Sequence, residues 1–294
     1  MKLIISCAIL SMAILMFAWP SWAGPMSPEE RKATLTFLGS LQNADGGFRS
    51  SPKSGPSELG ATSNAIRAIQ YLGGEVNNKG AVEKFIQQFA HESGGYAEKV
   101  GGAPDIRSTW SAASALGVIR GSAPENGKKI VEFFSNNAKS LYPDIYFAAG
   151  ALDYMKMTSP KAAEWVNAFE ATRQPDGSYG EGVDDTAHAV VTVSRLGGTL
   201  KDRAAAGKVL KAAQRQGDGF AAAKGKAADF AATYTVMRAL GILKDKPDLE
   251  AIYRFVASRR NADGGYALDA GKPSQITPTY RASAVLYFAG QAEK

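Results

Sequence analysis

The chain has 294 residues, of which 45% are hydrophobic, and its 34 basic and 28 acidic side chains give a formal net charge of +6. This length suits one large domain or two small ones, with enough residues to bury a sizeable core. The basic residues are scattered and alternate with acids, as on a solvated surface, so we expect no nucleic-acid partner.

The first residues have the features of a secretory signal peptide. Lys2 gives a positively charged start, and Leu3–Trp19 is an uncharged apolar run that precedes small residues ending at Ala23. Cleavage after Ala23 predicts a signal peptide over residues 1–23, a single domain over residues 24–294, and export to the periplasm or the cell exterior. An uncleaved anchor is the alternative. No later segment is apolar enough to span a bilayer, so we expect no integral membrane domain after cleavage.

The cysteine content restricts the chemistry of the mature chain. Cys7 is the only cysteine, and it lies within the apolar run that cleavage removes. The mature chain therefore has no disulfide, no thiolate zinc site and no cysteine nucleophile. Loss of Lys2 with the same segment lowers the net charge from +6 to about +5.

A glycine-rich turn that ends in an aromatic residue recurs along the chain, which indicates an internal repeat. The five turns end at Phe48, Tyr96, Tyr179, Phe220 and Tyr266. A threonine and an alanine-rich apolar stretch follow each turn, and the threonines are Thr62, Thr109, Thr186, Thr233 and Thr279. These threonines are 47, 77, 47 and 46 residues apart, so the longest interval holds two shorter units. The hidden unit contains Tyr142–Tyr146, with Ala148 in place of the threonine, and the repeat count is six.

Each unit predicts two helices with different exposure. The first helix of the first unit begins with a capping box formed by Ser27 and Glu30, and helices of this type have one apolar face. The second helices are apolar on all sides, as in Ala231–Leu243, where Arg238 is the only charge. Outer helices around buried inner helices satisfy both patterns. We therefore predict an all-α fold, an α/α toroid of six helical hairpins in two concentric layers. An open solenoid is the alternative, but it requires polar capping repeats that the sequence lacks.

The first complete unit resembles the repeat of prenyltransferase β-subunits and squalene cyclases. It reads LQNADGGF from Leu41 and ELGATSNAIRAIQYLGG from Glu58, and the resemblance extends from about Thr34 to Gly290. The resemblance implies a toroid in which the starts of the inner helices surround one mouth of a central cavity. It does not imply a single activity, because one fold hosts many functions. Three functional hypotheses follow from it.

The first hypothesis is a zinc-dependent protein prenyltransferase. That family holds its metal with an Asp-x-Cys pair and a histidine. Asp229 matches the aspartate, but Ala231 and Pro278 stand where the cysteine and the histidine belong. One oxygen ligand cannot hold a tetrahedral zinc, so we expect no metal and no other cofactor. Lys226 matches the family lysine that contacts the prenyl diphosphate, which makes Lys226 and Asp229 candidate ligand contacts.

The second hypothesis is a protonating class II terpenoid cyclase. Those enzymes carry Asp-x-Asp-Asp followed by Thr-Ala, and residues 182–187 of this chain read GVDDTA. The resemblance makes Asp184 the proton donor and Asp185 its partner, while Gly182 replaces the first acid. Paired carboxylates in a dry pocket can raise the pKa of one member, as alkene protonation requires. His188 is a candidate contact of the acid or a core residue, and the acids themselves can be helix caps.

The third hypothesis is a binding protein that keeps the toroid without its chemistry. Four aromatic residues at or just after the threonine position would line an apolar cavity if they face the lumen: Trp110, Tyr146, Tyr234 and Tyr280. Packing between helices is the alternative. We expect an isoprenoid-like or other apolar ligand, such as a lipid, with or without chemical conversion. A non-catalytic module that binds a protein partner is a further alternative.

Overall fold

The computed structural model describes residues 26–223 and 225–293. The signal peptide predicted over residues 1–23 lies outside the described residues and stays a prediction. Twelve α-helices make up most of the described chain. None of these helices is both long enough and apolar enough to cross a membrane.

The helices alternate between an outer and an inner layer along the chain. The outer helices are α1 (Pro28–Ser40), α3 (Lys79–Gln87), α5 (Gly127–Asn137), α7 (Ala162–Glu170), α9 (Arg203–Ala212) and α11 (Leu249–Ala257). The inner helices are α2 (Leu59–Tyr71), α4 (Ile106–Arg120), α6 (Tyr146–Met155), α8 (Val183–Arg195), α10 (Phe230–Leu243) and α12 (Ile276–Ala292). Two short antiparallel strands, β1 (Tyr96–Ala97) and β2 (Pro104–Asp105), lie in the loop before α4.

The inner helices form a closed ring. Each inner helix packs against the next one in chain order, and α12 packs against α2. Two hydrogen bonds between distant parts of the chain accompany the closure. Thr34 Oγ1 donates to the Gly264 carbonyl oxygen at 2.8 Å, and the Ile276 amide donates to the Ser50 carbonyl oxygen at 2.9 Å. The predicted all-α toroid of six hairpins is confirmed, and the open solenoid is excluded.

The repeat threonines fasten each glycine-rich turn to its inner helix. In all five complete repeats the threonine Oγ1 accepts the amide N–H of the aromatic residue of the turn, at 2.8–3.0 Å. The five aromatic residues are at most 2% exposed, so they anchor the turns in the core. A buried amide without a partner costs about 1–3 kcal/mol, which explains why the threonine recurs with the aromatic residue.

The turn glycines let neighbouring repeats approach closely. Gly94 has a φ of +87°, and a Cβ there would lie 2.5 Å from the backbone carbonyl carbon of Lys129 in α5. Gly264 has a φ of +85°, and its Cβ would lie 2.5 Å from the Ala33 carbonyl oxygen in α1. The turn of one repeat therefore packs on the outer helix of the next, and the last turn packs on the first outer helix. Only glycine combines this φ with the absence of a side chain.

The third repeat departs from this pattern, in agreement with its degenerate sequence. Leu141–Ile145 forms a wide turn with π-type hydrogen bonds and a cis peptide bond between Tyr142 and Pro143, and it continues directly into α6. Ala148 has no hydroxyl to hold such a turn. As a result Tyr142 lies at the mouth of the ring and is 49% exposed.

Candidate functional site

The N-terminal ends of the inner helices surround a cavity of about 460 Å³. Seven of the nine predicted site residues line it: Trp110, Tyr146, Asp184, Asp185, His188, Tyr234 and Tyr280. The other two do not. Lys226 is exposed on the loop before α10, and Asp229 is the N-cap residue of α10. The structure therefore brings the four predicted aromatic residues, His188 and two of the three predicted acids together at one mouth of the ring.

Stacked aromatic rings form one wall of this cavity. The Trp110 and Phe147 rings stack with their centroids 4.6 Å apart, and Tyr142 stacks on the His188 imidazole at 4.0 Å. Tyr146 meets the same imidazole edge-on at 4.7 Å. The sequence prediction did not include Tyr142 or Phe147, because the degenerate repeat lacks the threonine that fixed the register elsewhere. The concentration of aromatic residues in that repeat was the available signal.

Asp184 is the acid with an unused oxygen in this cavity. It is half-buried, and its Oδ1 is buried without a hydrogen-bond partner among the residues that the structure describes. Burial raises the pKa of the Asp184 carboxyl, and the nearby carboxylates of Asp229 and Asp185 raise it further. A raised pKa and a position on the cavity wall are the properties that a general acid needs.

Asp185 has a different role at the start of the same helix. One of its oxygens accepts the Glu181 amide N–H at 2.9 Å. Gly180 bends the loop over this carboxylate with a φ of +56°, and a Cβ on Gly180 would lie 2.5 Å from Asp185 Oδ2. The two acids are therefore not equivalent. Asp185 stabilises the turn into α8, whereas Asp184 keeps an oxygen free.

His188 is a buried, neutral imidazole near neutral pH. The residue is 8% exposed, and burial lowers its pKa to about 4, although Asp185 acts in the opposite direction. Its Nδ1 is buried and has no hydrogen-bond partner in the described part of the chain. The ring packs among the aromatic residues of the wall. One ring nitrogen therefore lacks a hydrogen-bond partner inside the wall.

A layer of buried arginine and tyrosine side chains forms the floor of the cavity. The Arg67 guanidinium lies between the Trp110 and Tyr280 rings, 4.3 Å from each centroid. Its Nη1 donates to the Tyr280 hydroxyl at 2.7 Å, and that hydroxyl lies 2.8 Å from the Tyr234 hydroxyl. Arg238 Nη1 donates to the Tyr234 hydroxyl at 2.6 Å. The sequence prediction did not assign either arginine to the site, although each is the only charge on its inner helix.

The positions that match the metal site of prenyltransferases do not fit a metal here. Asp229 Oδ1 accepts the amide N–H groups of Ala231 and Ala232 at 2.8 and 2.9 Å, so it caps α10. Ala231 and Pro278 have no side-chain donor atom. Within the described ranges, no three His, Cys, Asp or Glu side chains are grouped so that they could hold a metal ion. This donor set does not fit zinc, which needs about four N, S or O ligands.

Several solved structures share the fold at low sequence identity. A single-residue variant of the type II terpene cyclase MstE from Scytonema, in complex with geranylgeranyl dihydroxybenzoate, is 11% identical. The match covers 90% of this chain and 97% of that one, with a TM-score of 0.65. Protein geranylgeranyltransferase-I from Candida albicans, complexed with GGPP, is 15% identical over 87% of this chain and 90% of that one, with a TM-score of 0.63. A glycosidase in complex with glucose is 13% identical over 90% of this chain and 96% of that one, with a TM-score of 0.63.

Identities this low establish the fold alone. No curated protein matches the sequence. A family model, however, covers nearly the whole chain: the model of the prenyltransferase alpha-alpha toroid domain matches residues 3–142 and 132–294. The resemblance seen in the repeat sequence is thereby confirmed, and the chain belongs to the prenyltransferase α/α toroid family.

Proposed function

We propose that this chain is an exported toroid that binds an isoprenoid-like or other apolar ligand in the cavity at the N-terminal ends of its inner helices. The observation that carries the proposal is the wall of stacked aromatic rings beside an acid with an unused oxygen. Ligand pockets typically measure about 300–1,000 Å³ and combine aromatic walls with a few polar groups. The cavity of about 460 Å³ has the same size and composition.

Two structures with the same fold support an isoprenoid ligand. MstE was solved with geranylgeranyl dihydroxybenzoate as its substrate, and the geranylgeranyltransferase was solved with GGPP. In this chain the apolar contacts would come from Trp110, Phe147 and Tyr234, which line the cavity. Polar groups of the ligand would meet the Asp184 side chain, which lines the cavity beside His188.

Export rests on the apolar run Leu3–Trp19 and the small residues that end at Ala23. We expect the protein in the exported fraction of its own cells, with Gly24 as its first residue. N-terminal sequencing of that fraction tests this part of the proposal. A chain that still begins at Met1 and stays with the membrane would support an uncleaved anchor instead.

A second candidate function is acid-catalysed conversion of the bound isoprenoid. The raised pKa of Asp184 keeps its carboxyl protonated to higher pH than usual, so it can add a proton to one carbon of an alkene. The other alkene carbon becomes a cation, which takes the π electrons of a second alkene. A carbon beside the new cation then loses a proton, which returns to the Asp184 carboxylate and completes the isomerisation. The neighbouring aromatic faces would stabilise the cation by cation–π attraction.

Native mass spectrometry of the protein from its exported fraction, followed by extraction of the bound material, tests the binding proposal. We expect an isoprenoid or lipid that is lost when Trp110 and Tyr234 are both replaced by alanine. Trp165→Ala is the matched control, because this buried tryptophan lies in α7, outside the cavity. An empty cavity, a carbohydrate, or a protein partner alone would overturn the proposal.

Asp184→Asn separates catalysis from binding. The amide keeps the size of the carboxyl but has no acidic proton, so we expect the ligand to remain bound while its turnover falls by about 10²–10⁴-fold. Asp105→Asn is the control, because Asp105 caps α4 through the Ser108 amide and asparagine caps equally well. Unchanged turnover in Asp184→Asn would exclude Asp184 as the acid.

A further inference from the structure

A second cavity, also of about 460 Å³, opens at the opposite end of the ring, where the inner helices end. The arginine and tyrosine layer lies between the two cavities. On this side Arg238 Nη2 donates to the Tyr71 hydroxyl at 2.8 Å, and the Tyr71 hydroxyl lies 3.1 Å from the Tyr154 hydroxyl. Arg195, at the end of α8, lines the same cavity. None of the residues predicted from sequence belongs to it.

The two arginines of this layer are buried, and the side chain of Arg195 beside them is nearly so, with little negative charge around them. Arg67 is 0% and Arg238 3% exposed, and the Arg195 side chain is 8% exposed. Arg195 forms an ion pair with Asp153, with 3.3 Å between Nε and Oδ2. Among the residues that the structure describes, no carboxylate lies within ion-pair distance of Arg67 or Arg238. The layer therefore carries two positive charges that only neutral groups contact.

Hydroxyl oxygens satisfy the hydrogen bonds of a guanidinium but do not neutralise its charge. The ends of the inner helices add only partial negative charges. An unneutralised buried cation is costly, because a medium of low dielectric constant solvates it poorly. Burial raises the pKa of the Tyr154 phenol, but Arg238, Arg67, Arg195 and the hydrogen bond with Tyr71 together bring that pKa below its ordinary value. At Tyr71 and Tyr234 burial prevails over the arginines and the pKa is raised. A negative group in this cavity would be strongly stabilised.

The walls indicate what kind of molecule would carry that negative group. The Tyr71 ring packs against Tyr287 and Phe288, with centroids 5.0 and 5.8 Å apart, and all three line the cavity. Asp153 at the rim repels a doubly charged anion more than a singly charged one. We propose that this second cavity is a binding site for a small organic anion, a carboxylate attached to an apolar or aromatic body. Its carboxylate contacts Arg238 and Arg195, and its body lies against the aromatic cluster.

Isothermal titration with benzoate tests this site, with neutral benzamide and inorganic phosphate as comparison probes. We expect saturable binding of benzoate, weaker binding of phosphate, and no measurable binding of benzamide. Arg195→Met and Arg238→Met each remove one charge while keeping the length of the side chain, so each should weaken benzoate binding by roughly tenfold to hundredfold. Arg120→Met is the control, because Arg120 pairs with Glu83 of α3 and does not line this cavity.

Thermal unfolding of each variant establishes that it is folded before titration. Arg195 is the less buried of the two, so its variant keeps the test valid if Arg238→Met does not fold. Equal affinity for benzoate and benzamide would overturn the proposal, as would tighter binding of phosphate, no saturable binding of benzoate, or unchanged benzoate affinity in Arg195→Met. The Arg195→Met outcome does not depend on the first cavity, because Arg195 lines the second cavity alone.

Discussion

Acid should destabilise this protein through one buried histidine. The pKa of His188 is about 4 in the folded chain, against an ordinary value of 6.5. Because the folded-state pKa is the lower one, the unfolded chain binds the proton first. The stability that depends on a neutral imidazole is therefore complete above about pH 6.5 and is lost as the pH falls toward 4.

The magnitude follows from proton linkage. Between about pH 7 and about pH 4.5, these two pKa values give a loss of roughly 2–3 kcal/mol in the free energy of unfolding from His188 alone. His188→Gln removes the titrating group but keeps a polar side chain of similar size. The packing defect that it introduces lowers stability equally at both pH values, so only the difference between them reports the titration.

Urea unfolding followed by circular dichroism at the two pH values measures this difference. Every carboxyl group is common to the variants, so its contribution cancels in the comparison. The chain has two histidines, and His91, which is exposed, supplies the control His91→Gln. We expect wild type and His91→Gln to lose the same free energy on acidification, and His188→Gln to lose roughly 2–3 kcal/mol less. An equal loss in His188→Gln would refute the reasoning.

Two further predictions concern the repeat itself. Thr233→Val deprives the buried Phe220 amide of its acceptor and should cost about 1–3 kcal/mol of stability in thermal or chemical unfolding. Thr235→Val on the same helix, whose hydroxyl only donates to the preceding turn, should cost clearly less; equal costs would contradict the role of the repeat threonine. Gly94→Ala should destabilise more than Gly101→Ala, because both have positive φ but only Gly94 abuts the backbone of α5. Equal shifts in melting temperature would show that backbone strain alone governs both positions.

The fold could be predicted from the sequence because one structural unit is repeated six times. Five threonines paired with five aromatic residues indicate both the repeat length and the positions of five inner helices, and the structure confirms both through the same hydrogen bond in each of the five complete repeats. The same register pointed to Trp110, Tyr234 and Tyr280, which do line the cavity. Their contact with a ligand stays a prediction.

The other residues of the cavity could not be predicted from the sequence, because their positions depend on features that the repeat pattern does not specify. Tyr142 and Phe147 reach the wall because the third repeat has a wide turn, which its sequence marks by the missing threonine and by a concentration of aromatic residues. Arg67 is 0% exposed, although a lone charge on a helix ordinarily faces water or a carboxylate. Its inward direction depends on the tyrosine of α12 that accepts its hydrogen bond, and that partner is more than two hundred residues away in sequence.

The contact between α12 and α2 has a consequence for how the molecule unfolds. In a linear array, an end repeat has one neighbour and can fray without disturbing the others. In this ring every hairpin has two neighbours, so the loss of any one exposes two apolar interfaces at once. We therefore expect a single cooperative transition with no stable partly unwound state. During synthesis, the second apolar interface of the first hairpin stays exposed until the last hairpin has been made and packs against it.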